Sequence, residues 1–466
     1  MEQPDNQLDR NARNRLQISI AIAYSLLPLL SSSINVALPT IGKEFAMNAI
    51  LLAWVSISFL IPSVSLLLPL SRLADTFGRK RIFTCGVIVF NIACILCAVP
   101  TSGVMLIAFR AVMGIGGALC WSTGGGILAA AFPAAERGKV FGINAAAVFL
   151  GLTIGPLVGG FLTQHFGWRS IFWANLLMGL ISLLLLLRLK GEWIEAKRGA
   201  FDLAGSLISI AAIIALIYGF SLLPEISGVM IFAAGIAGLL VFIWWELRVK
   251  DPLLDMKLFT QNRVFAYSNL SALINFAATL GISFLVSLYL QYAKGFSPQN
   301  AGLVLMAMPV VQAVLSPVAG KLSDRVIPQR VAATGLMLTA IGLGILAFIE
   351  SGTSMVLILV SLIILGAGSA FFAAPNSNAI MSSVDSRHYN VTSAVISMMR
   401  QLGMMLSMGT IMVLFSVFIG RVEITPQYYA AYITSARIAF TIFAVASFLG
   451  TFASLASQRH KAQPPA

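Results

Sequence analysis

Ser71-Arg-Leu-Ala-Asp-Thr-Phe-Gly-Arg-Lys-Arg81 is a short basic stretch set between two long apolar runs, one starting near Leu51 and the next near Ile82. About 20 apolar residues make a helix of roughly 30 Å, enough to cross the hydrocarbon core of a bilayer. The same alternation continues in both directions. Fourteen runs are counted, with approximate starts at Leu16, Leu51, Ile82, Gly103, Val140, Arg169, Leu203, Val229, Val264, Ala301, Val331, Met355, Val391 and Ala436. The gaps alternate in charge as well. The N-terminal segment and every second gap after it carry most of the Lys and Arg, while the intervening gaps hold only Lys43, Arg169, Lys294 and Arg421. This bias predicts that both termini lie in the cytoplasm, which agrees with an even number of spans.

That topology makes the first prediction. Tags or single cysteines at position 5, in the Arg188–Asp202 linker and at the C-terminus are expected to report the cytoplasm, and sites near Lys294 the outside. Labelling of the Arg188–Asp202 linker by an impermeant reagent in intact cells would overturn the span count.

Composition supports a membrane protein. The chain is 58% hydrophobic and 10% charged, where a soluble chain carries about 25% charged residues. The net charge of +13 is spread over many short segments rather than one face, so no nucleic acid is expected as a partner. Its simpler use is orientation and contact with the headgroups of the lipid bilayer. Cys85, Cys94, Cys97 and Cys120 fall within two neighbouring runs and read as small buried residues rather than a disulfide framework or a metal site. No cleavable leader is expected, because the first fifteen residues are polar and the first run is too long for a signal sequence.

The runs fall into groups of six, two and six. The expected divisions are a cytoplasmic segment at 1–15, a first six-helix bundle at 16–189, a linker with two extra spans at 190–247, a linker and second six-helix bundle at 248–457, and a cytoplasmic tail at 458–466. The two groups of six repeat a feature. Gly320-Lys-Leu-Ser-Asp-Arg-Val-Ile-Pro-Gln-Arg330 follows the second run of the last group, as Ser71–Arg81 follows the second run of the first. The two stretches share Leu, Asp and the final Arg at matching positions, as a duplicated transporter fold would.

On these residues the chain resembles the major facilitator superfamily, and most closely its fourteen-span drug:proton antiporter branch. Leu73-Ala-Asp75-Thr-Phe-Gly78-Arg79-Lys80 matches the loop signature of that family. The resemblance implies a gating role for this loop, carried by Asp75, Gly78 and Arg79, with Asp324 as the counterpart in the second half. Asp75 and Asp324 are expected in loops, and Lys80 and Arg81 are read as topology anchors only. In the fourth run Arg110, Gly114, Gly117, Trp121 and Gly125 share one helical face. Arg110 matches the arginine of the family's fourth-helix motif, and an intramembrane charge is expensive enough to imply a function. In the fifth run Gly151, Gly155, Pro156, Gly159 and Gly160 match the antiporter motif. A glycine stripe allows close helix packing and the proline removes one backbone donor. By resemblance this motif favours exchange or export over uptake.

Further matches include Trp54-Val55, Pro252-Leu-Leu-Asp255, Tyr289-Leu-Gln291 and Arg400-Gln401-Leu-Gly403. In the thirteenth run Ser393, Ser397, Arg400, Met404 and Met408 share a face, as the wall of a water-filled cavity would. Asn35, Arg110, Asn269, Asn275, Gln312, Asn376, Arg400 and Gln401 are the candidate cavity or substrate residues.

The chain departs from the family in four places. Leu30 occupies the usual aspartate position of the first span, Phe59 replaces a tyrosine, Met113 replaces a glutamine, and Ser71 replaces the first loop glycine. No acidic residue falls near the middle of a run; Glu246 and Glu350 stand at run ends. Arg110 and Arg400 are therefore expected to lack an acidic partner inside the membrane. Either a carboxylate at the cavity mouth couples transport, or the arginines receive an anionic substrate.

The expected fold is an all-α integral membrane protein of the major facilitator type, two six-helix bundles plus two inserted helices, in the cell membrane. The expected activity is alternating-access export of small amphipathic molecules, with organic-anion exchange as the alternative. The expected partners are a small-molecule substrate and protons or another coupling ion; the expected assembly is a monomer. No cofactor, metal or catalytic residue is expected. A membrane enzyme is the rival of another class, but His165, His388 and His460 are scattered and form no catalytic or metal constellation. A sensor is the third class, and no soluble signalling domain is visible outside the runs.

Overall fold

The computed structural model describes residues 9–189, 191, 202–249, 252–254, 256–384 and 389–457. Most of the Arg188–Asp202 linker, Asp251, Asp255, His388 and the 458–466 tail lie outside the described residues, as does most of the 1–15 segment.

The described residues contain fourteen helices long and apolar enough to cross a membrane. The first six spans are α1 (Arg10–Glu44), α2 with α3 (Ala49–Ile57 and Leu60–Phe77), α4 (Arg79–Ala98), α5 (Gly103–Ala131), α6 (Ala134–Phe166) and α7 (Arg169–Leu187). The inserted pair is α8 (Leu203–Leu222) and α9 (Ile226–Glu246). After a short α10 (Lys257–Gln261) come α11 (Arg263–Leu288), α12 with α13 (Pro298–Leu305 and Ala307–Arg325), α14 (Pro328–Leu346), α15 (Met355–Met381), α16 (Tyr389–Phe418) and α17 (Tyr429–Ala456).

Several helices begin a few residues before their apolar runs, and others, such as those starting at Gly103, Leu203 and Met355, begin where the runs do; polar residues at the boundary cap both kinds. Asp9, Asn48, Ser102, Asp202, Asn262, Ser297 and Ser354 each accept a hydrogen bond from a backbone N–H of the first turn. The same overrun corrects one expectation. Asp75 and Asp324 are not in loops; they lie in the last turns of α3 and α13. A helix leaving the hydrocarbon keeps its backbone bonds, so the apolar run ends before the helix does.

The outer surface is apolar. Leu177, Leu184, Val229, Leu240, Phe348 and Val356 are exposed on it, which suits a lipid solvent and would be costly in water. The end of the molecule bearing the Ser71–Arg81 loop is called here the basic end, and the opposite end the bare end.

At the bare end the two groups of six are joined. Ser287 Oγ donates to the Asn35 carbonyl at 2.7 Å and Gln291 Nε2 to the Val36 carbonyl at 2.9 Å. The Gln299 N–H reaches Gln164 Oε1 at 3.3 Å, and the Ala49 N–H reaches the Val422 carbonyl at 3.1 Å. The inserted helix α8 lies along the seam, where Phe220 packs on Gly409 of α16 and Tyr218 meets Trp54 of α2 at 6.5 Å between ring centroids.

Candidate functional site

Among the described residues Arg110 is the most buried charge, at 1% exposure. It stands on α5, and its position follows from a break in the second span. The chain turns between α2 and α3 at Ser58–Phe59, and the Phe59 carbonyl fits against Gly114. A Cβ at Gly114 would lie 2.1 Å from that oxygen, so only glycine lets α5 approach the break. The Phe59 ring then comes within 5.2 Å of the Arg110 guanidinium carbon. Phe59 stands where the family has a tyrosine, so the ring offers a π face but no hydroxyl. Arg110 Nε and Nη1 are buried and have no hydrogen-bond partner among the described residues.

Arg400 projects from α16 and crosses the seam. Its guanidinium carbon lies 4.9 Å from the centroid of the Trp121 indole on α5. Tyr24 on α1 stacks on the same indole, with centroids 4.9 Å apart and planes 5° apart. All three side chains are half-buried. No acidic residue pairs with Arg110 or Arg400 among the described residues. Leu30, at the usual aspartate position, is itself buried at 1% exposure.

The polar candidates divide. Asn35 accepts from Ser56 Oγ at 3.1 Å, within the first six spans. Asn269 donates to the Phe265 carbonyl at 2.8 Å, and Asn376 to the Ser268 carbonyl at 3.1 Å. These bonds hold Asn269 and Asn376 inside the second six. Asn275 and Gln401 are buried, while Gln312 is half-buried on α13. None of these touches Arg110 or Arg400 through a hydrogen bond in the described residues.

The loop motif is assembled around a turn. Gly78 has φ of 104°, a left-handed conformation that favours glycine, and it joins α3 directly to α4. The turn sets Arg79 against Asp75, with Nε and Nη2 at 2.9 and 2.8 Å from Oδ1. Arg79 Nη1 also donates to the Gly126 carbonyl of α5 at 3.3 Å. Arg72 donates to the Pro252 carbonyl in the linker ahead of the second six. Asp324 occupies the matching place in α13, where Asn378 Nδ2 reaches its Oδ1 at 3.4 Å.

Asp75→Asn keeps the size of the side chain and removes its charge. The pair is partly exposed, at 13% and 28% for the two side chains, so the stability loss is expected to be only about 0.5–1 kcal/mol. Turnover is expected to fall sharply while substrate affinity changes little. A mutant with wild-type flux would reduce Asp75 to a topology marker.

The glycine motif of α6 faces two neighbours. Added Cβ atoms at Gly151, Gly155 and Gly159 would strike the Ser25 carbonyl, Ser32 Oγ and the Ser33 Cα of α1, at 2.6, 1.7 and 2.5 Å. Gly160 instead faces α12, where a Cβ would lie 2.5 Å from the Pro298 carbonyl. The Pro156 carbonyl is met by Gly302 of α12. The motif thus packs α6 on its own bundle and on the other.

A carboxylate cluster stands at the basic end. Glu246 is 3% exposed; its Oε2 accepts from the Leu254 N–H at 2.8 Å, and its Oε1 has no partner among the described residues. Asp202 caps α8 and accepts from Trp245 Nε1 at 3.0 Å. Both carboxylates converge on Gly205, whose Cβ would lie 2.3 Å from Asp202 Oδ2 and 2.8 Å from Glu246 Oε1.

Sequence reasoning named Arg110, Arg400 and Trp121 but missed Tyr24, and treated Phe59 only as a departure. A sequence model described as Major Facilitator Superfamily matches residues 20–408 and again 268–465. The chain belongs to that superfamily. Among its relatives, multidrug resistance protein Stp of Mycobacterium tuberculosis (strain ATCC 25618 / H37Rv) is 32% identical over 401 residues, covering 84% of this chain and 74% of Stp. Riboflavin transporter RibZ of Clostridioides difficile (strain 630) is 28% identical over 437 residues, covering 93% and 95%. A solved bacterial homolog of the human lysosomal transporter Spinster, inward-facing and unoccupied, superposes with a TM-score of 0.68 at 19% identity, covering 98% of this chain and 100% of that one. The family and these relatives are transporters, not enzymes, and this chain is a multi-pass membrane transporter of the same fold.

Proposed function

We propose that this transporter exports small amphipathic molecules by alternating access, with the substrate held between the two groups of six spans and the basic end facing the cytoplasm. The observation that carries the reading is the seam itself. Hydrogen bonds close it at the bare end, while Tyr24, Trp121 and Arg400 remain half-buried within it. Met404 on α16, half-buried, supplies an adaptable wall, whereas Met408 is fully buried in the core. The glycine motif of α6 supports exchange or export, and a relative named for multidrug resistance agrees with a drug-like substrate.

A second reading, organic-anion exchange, is favoured by Arg110 and Arg400. A desolvated guanidinium without a counter-ion is costly, and a carboxylate or phosphate on the substrate would supply one. The riboflavin transporter among the relatives shows that the kinship extends beyond drugs. If protons drive export, the carriage falls to a rim carboxylate, and Glu246 with its unpartnered Oε1 is the best placed.

The test is flux in proteoliposomes with and without a pH gradient. Multidrug export predicts transport of cationic and neutral amphiphiles that steepens with the gradient and weakens in Glu246→Gln. Anion exchange predicts transport of anions driven by counter-anions, indifferent to the gradient. Absence of any substrate-dependent flux overturns both.

A further inference from the structure

We propose that the Tyr24–Trp121–Arg400 cluster is a subsite for a planar aromatic anion, which lays its ring on the Trp121 indole where the guanidinium now sits and pairs its acidic group with Arg400. The proposal rests on the reading of the seam as the substrate path and narrows the substrate class.

Three features of the cluster carry it. The indole is a prepared platform. Tyr24 lies nearly parallel to it, and Gly124 makes this possible, because a Cβ there would lie 2.7 Å from both the Tyr24 Cε1 and its hydroxyl. A ring held flat in advance loses little freedom when a ligand stacks on it. Next, the guanidinium has no acidic partner among the described residues. It crosses from α16 to an indole of the other bundle and takes a π face in place of an acid. An aromatic ligand ring can replace it on that face, and the ligand's carboxylate or phosphate gives the freed guanidinium a charge-assisted partner. Finally, the indole N–H is an unused donor. Trp121 Nε1 is sealed from solvent and has no acceptor among the described residues. A buried donor without a partner is costly, and an acidic oxygen brought in beside the ring would satisfy it.

The cluster also joins two bundles through side chains alone, since Tyr24 and Trp121 belong to α1 and α5 and Arg400 to α16. A ligand inserted there is contacted from both sides of the seam, as a transported substrate must be if its occupancy is to bias the movement of one bundle against the other.

The experiment measures equilibrium binding to the full-length protein in lipid nanodiscs, using three probes of similar size. These are 2-naphthoate, the saturated decalin-2-carboxylate and the cation 2-naphthylmethylammonium. The saturated acid is the more hydrophobic, so simple partitioning favours it. The proposal expects naphthoate to bind about tenfold tighter than either comparator, as stacking and charge pairing each contribute. Trp121→Leu is expected to abolish the preference for the flat acid, and Trp121→Phe to retain most of it. Arg400→Gln is expected to abolish the preference for the anion over the cation. Equal wild-type affinity for the flat and the saturated acid would overturn the proposal without recourse to any mutant, so a misfolded variant does not rescue it. A planarity preference that survives in a folded Trp121→Leu protein would overturn it as well. Flux of the same probes separates this from the transport reading. Equal binding and equal transport of both acids sinks the subsite and leaves the transporter reading intact. Selective binding without transport of any probe leaves the subsite standing and sinks the transport path.

Discussion

Arg110→Gln and Arg400→Gln are each expected to weaken binding of anionic substrates by about 1.5–3 kcal/mol, roughly ten- to a hundredfold, while cations and neutral amphiphiles lose little. For Arg110 the magnitude follows from burial, and for the half-buried Arg400 it is expected at the lower end of that range. Arg110 is 1% exposed, with two guanidinium nitrogens unpartnered and a phenylalanine ring as its nearest compensation. A cation–π contact supplies only about 0.5–2 kcal/mol, far less than a desolvated charge requires. An arriving anion therefore gains more here than at a site whose arginine is already paired. Binding measured for matched anions and cations decides the point. If both mutants lose every class of substrate alike, the arginines serve a coupling or structural role, and the multidrug reading with a rim carboxylate stands.

What the sequence could and could not reveal follows from the range of the interactions. Span number and the grouping of six, two and six rest on local apolar runs and local charge, so they were legible, whereas the placement of Asp75 and Asp324 in helix ends rather than loops was not. Some helix starts were missed by a few residues because capping by Asp9 or Asn48 lies outside the apolar run, whereas the helix capped by Asp202 begins at Leu203 as expected. The division of labour within the glycine motif was half legible. Glycines at 151, 155 and 159 repeat every four residues and share the face toward α1, whereas Gly160 is one residue out of step and faces α12. The break at Ser58–Phe59 was signalled locally by Pro62, which cannot donate to the Ser58 carbonyl, but its fit against Gly114 was not legible, since that residue lies more than fifty positions away. Tyr24 escaped notice for the same reason. Its meaning comes from Trp121 and Arg400, which lie on two other helices and in one case in the other half of the chain.

Gly302→Ala is expected to have the second large effect. The added methyl would lie 2.2 Å from the Pro156 carbonyl, and neither backbone can yield without moving α6 against α12. Overpacking of this kind costs about 1–3 kcal/mol. Here the strain falls between bundles rather than within one, so the protein is expected to fold and to lose closure of the bare end. Spin labels at Gln164 and Gln299 are expected to report a longer and broader distance, and flux to fall more than about tenfold, the size of a ~1.4 kcal/mol bias against the closed state. Gly344→Ala is the control, because nothing lies within 4 Å of its added carbon. An unchanged distance and flux in Gly302→Ala would show that the α6–α12 contact is not a moving joint.

The central claim is that the two groups of six must part at the bare end for substrate to cross. Gln164 and Gln299 face each other there across the seam, 3.3 Å from side-chain oxygen to backbone nitrogen. Replacing both with cysteine, and Cys85, the one exposed native thiol, with serine, allows a short bis-methanethiosulfonate to tie the bundles shut in proteoliposomes. The account predicts that flux stops in proportion to the fraction cross-linked and returns when the link is reduced. Undiminished flux in fully cross-linked protein would contradict it.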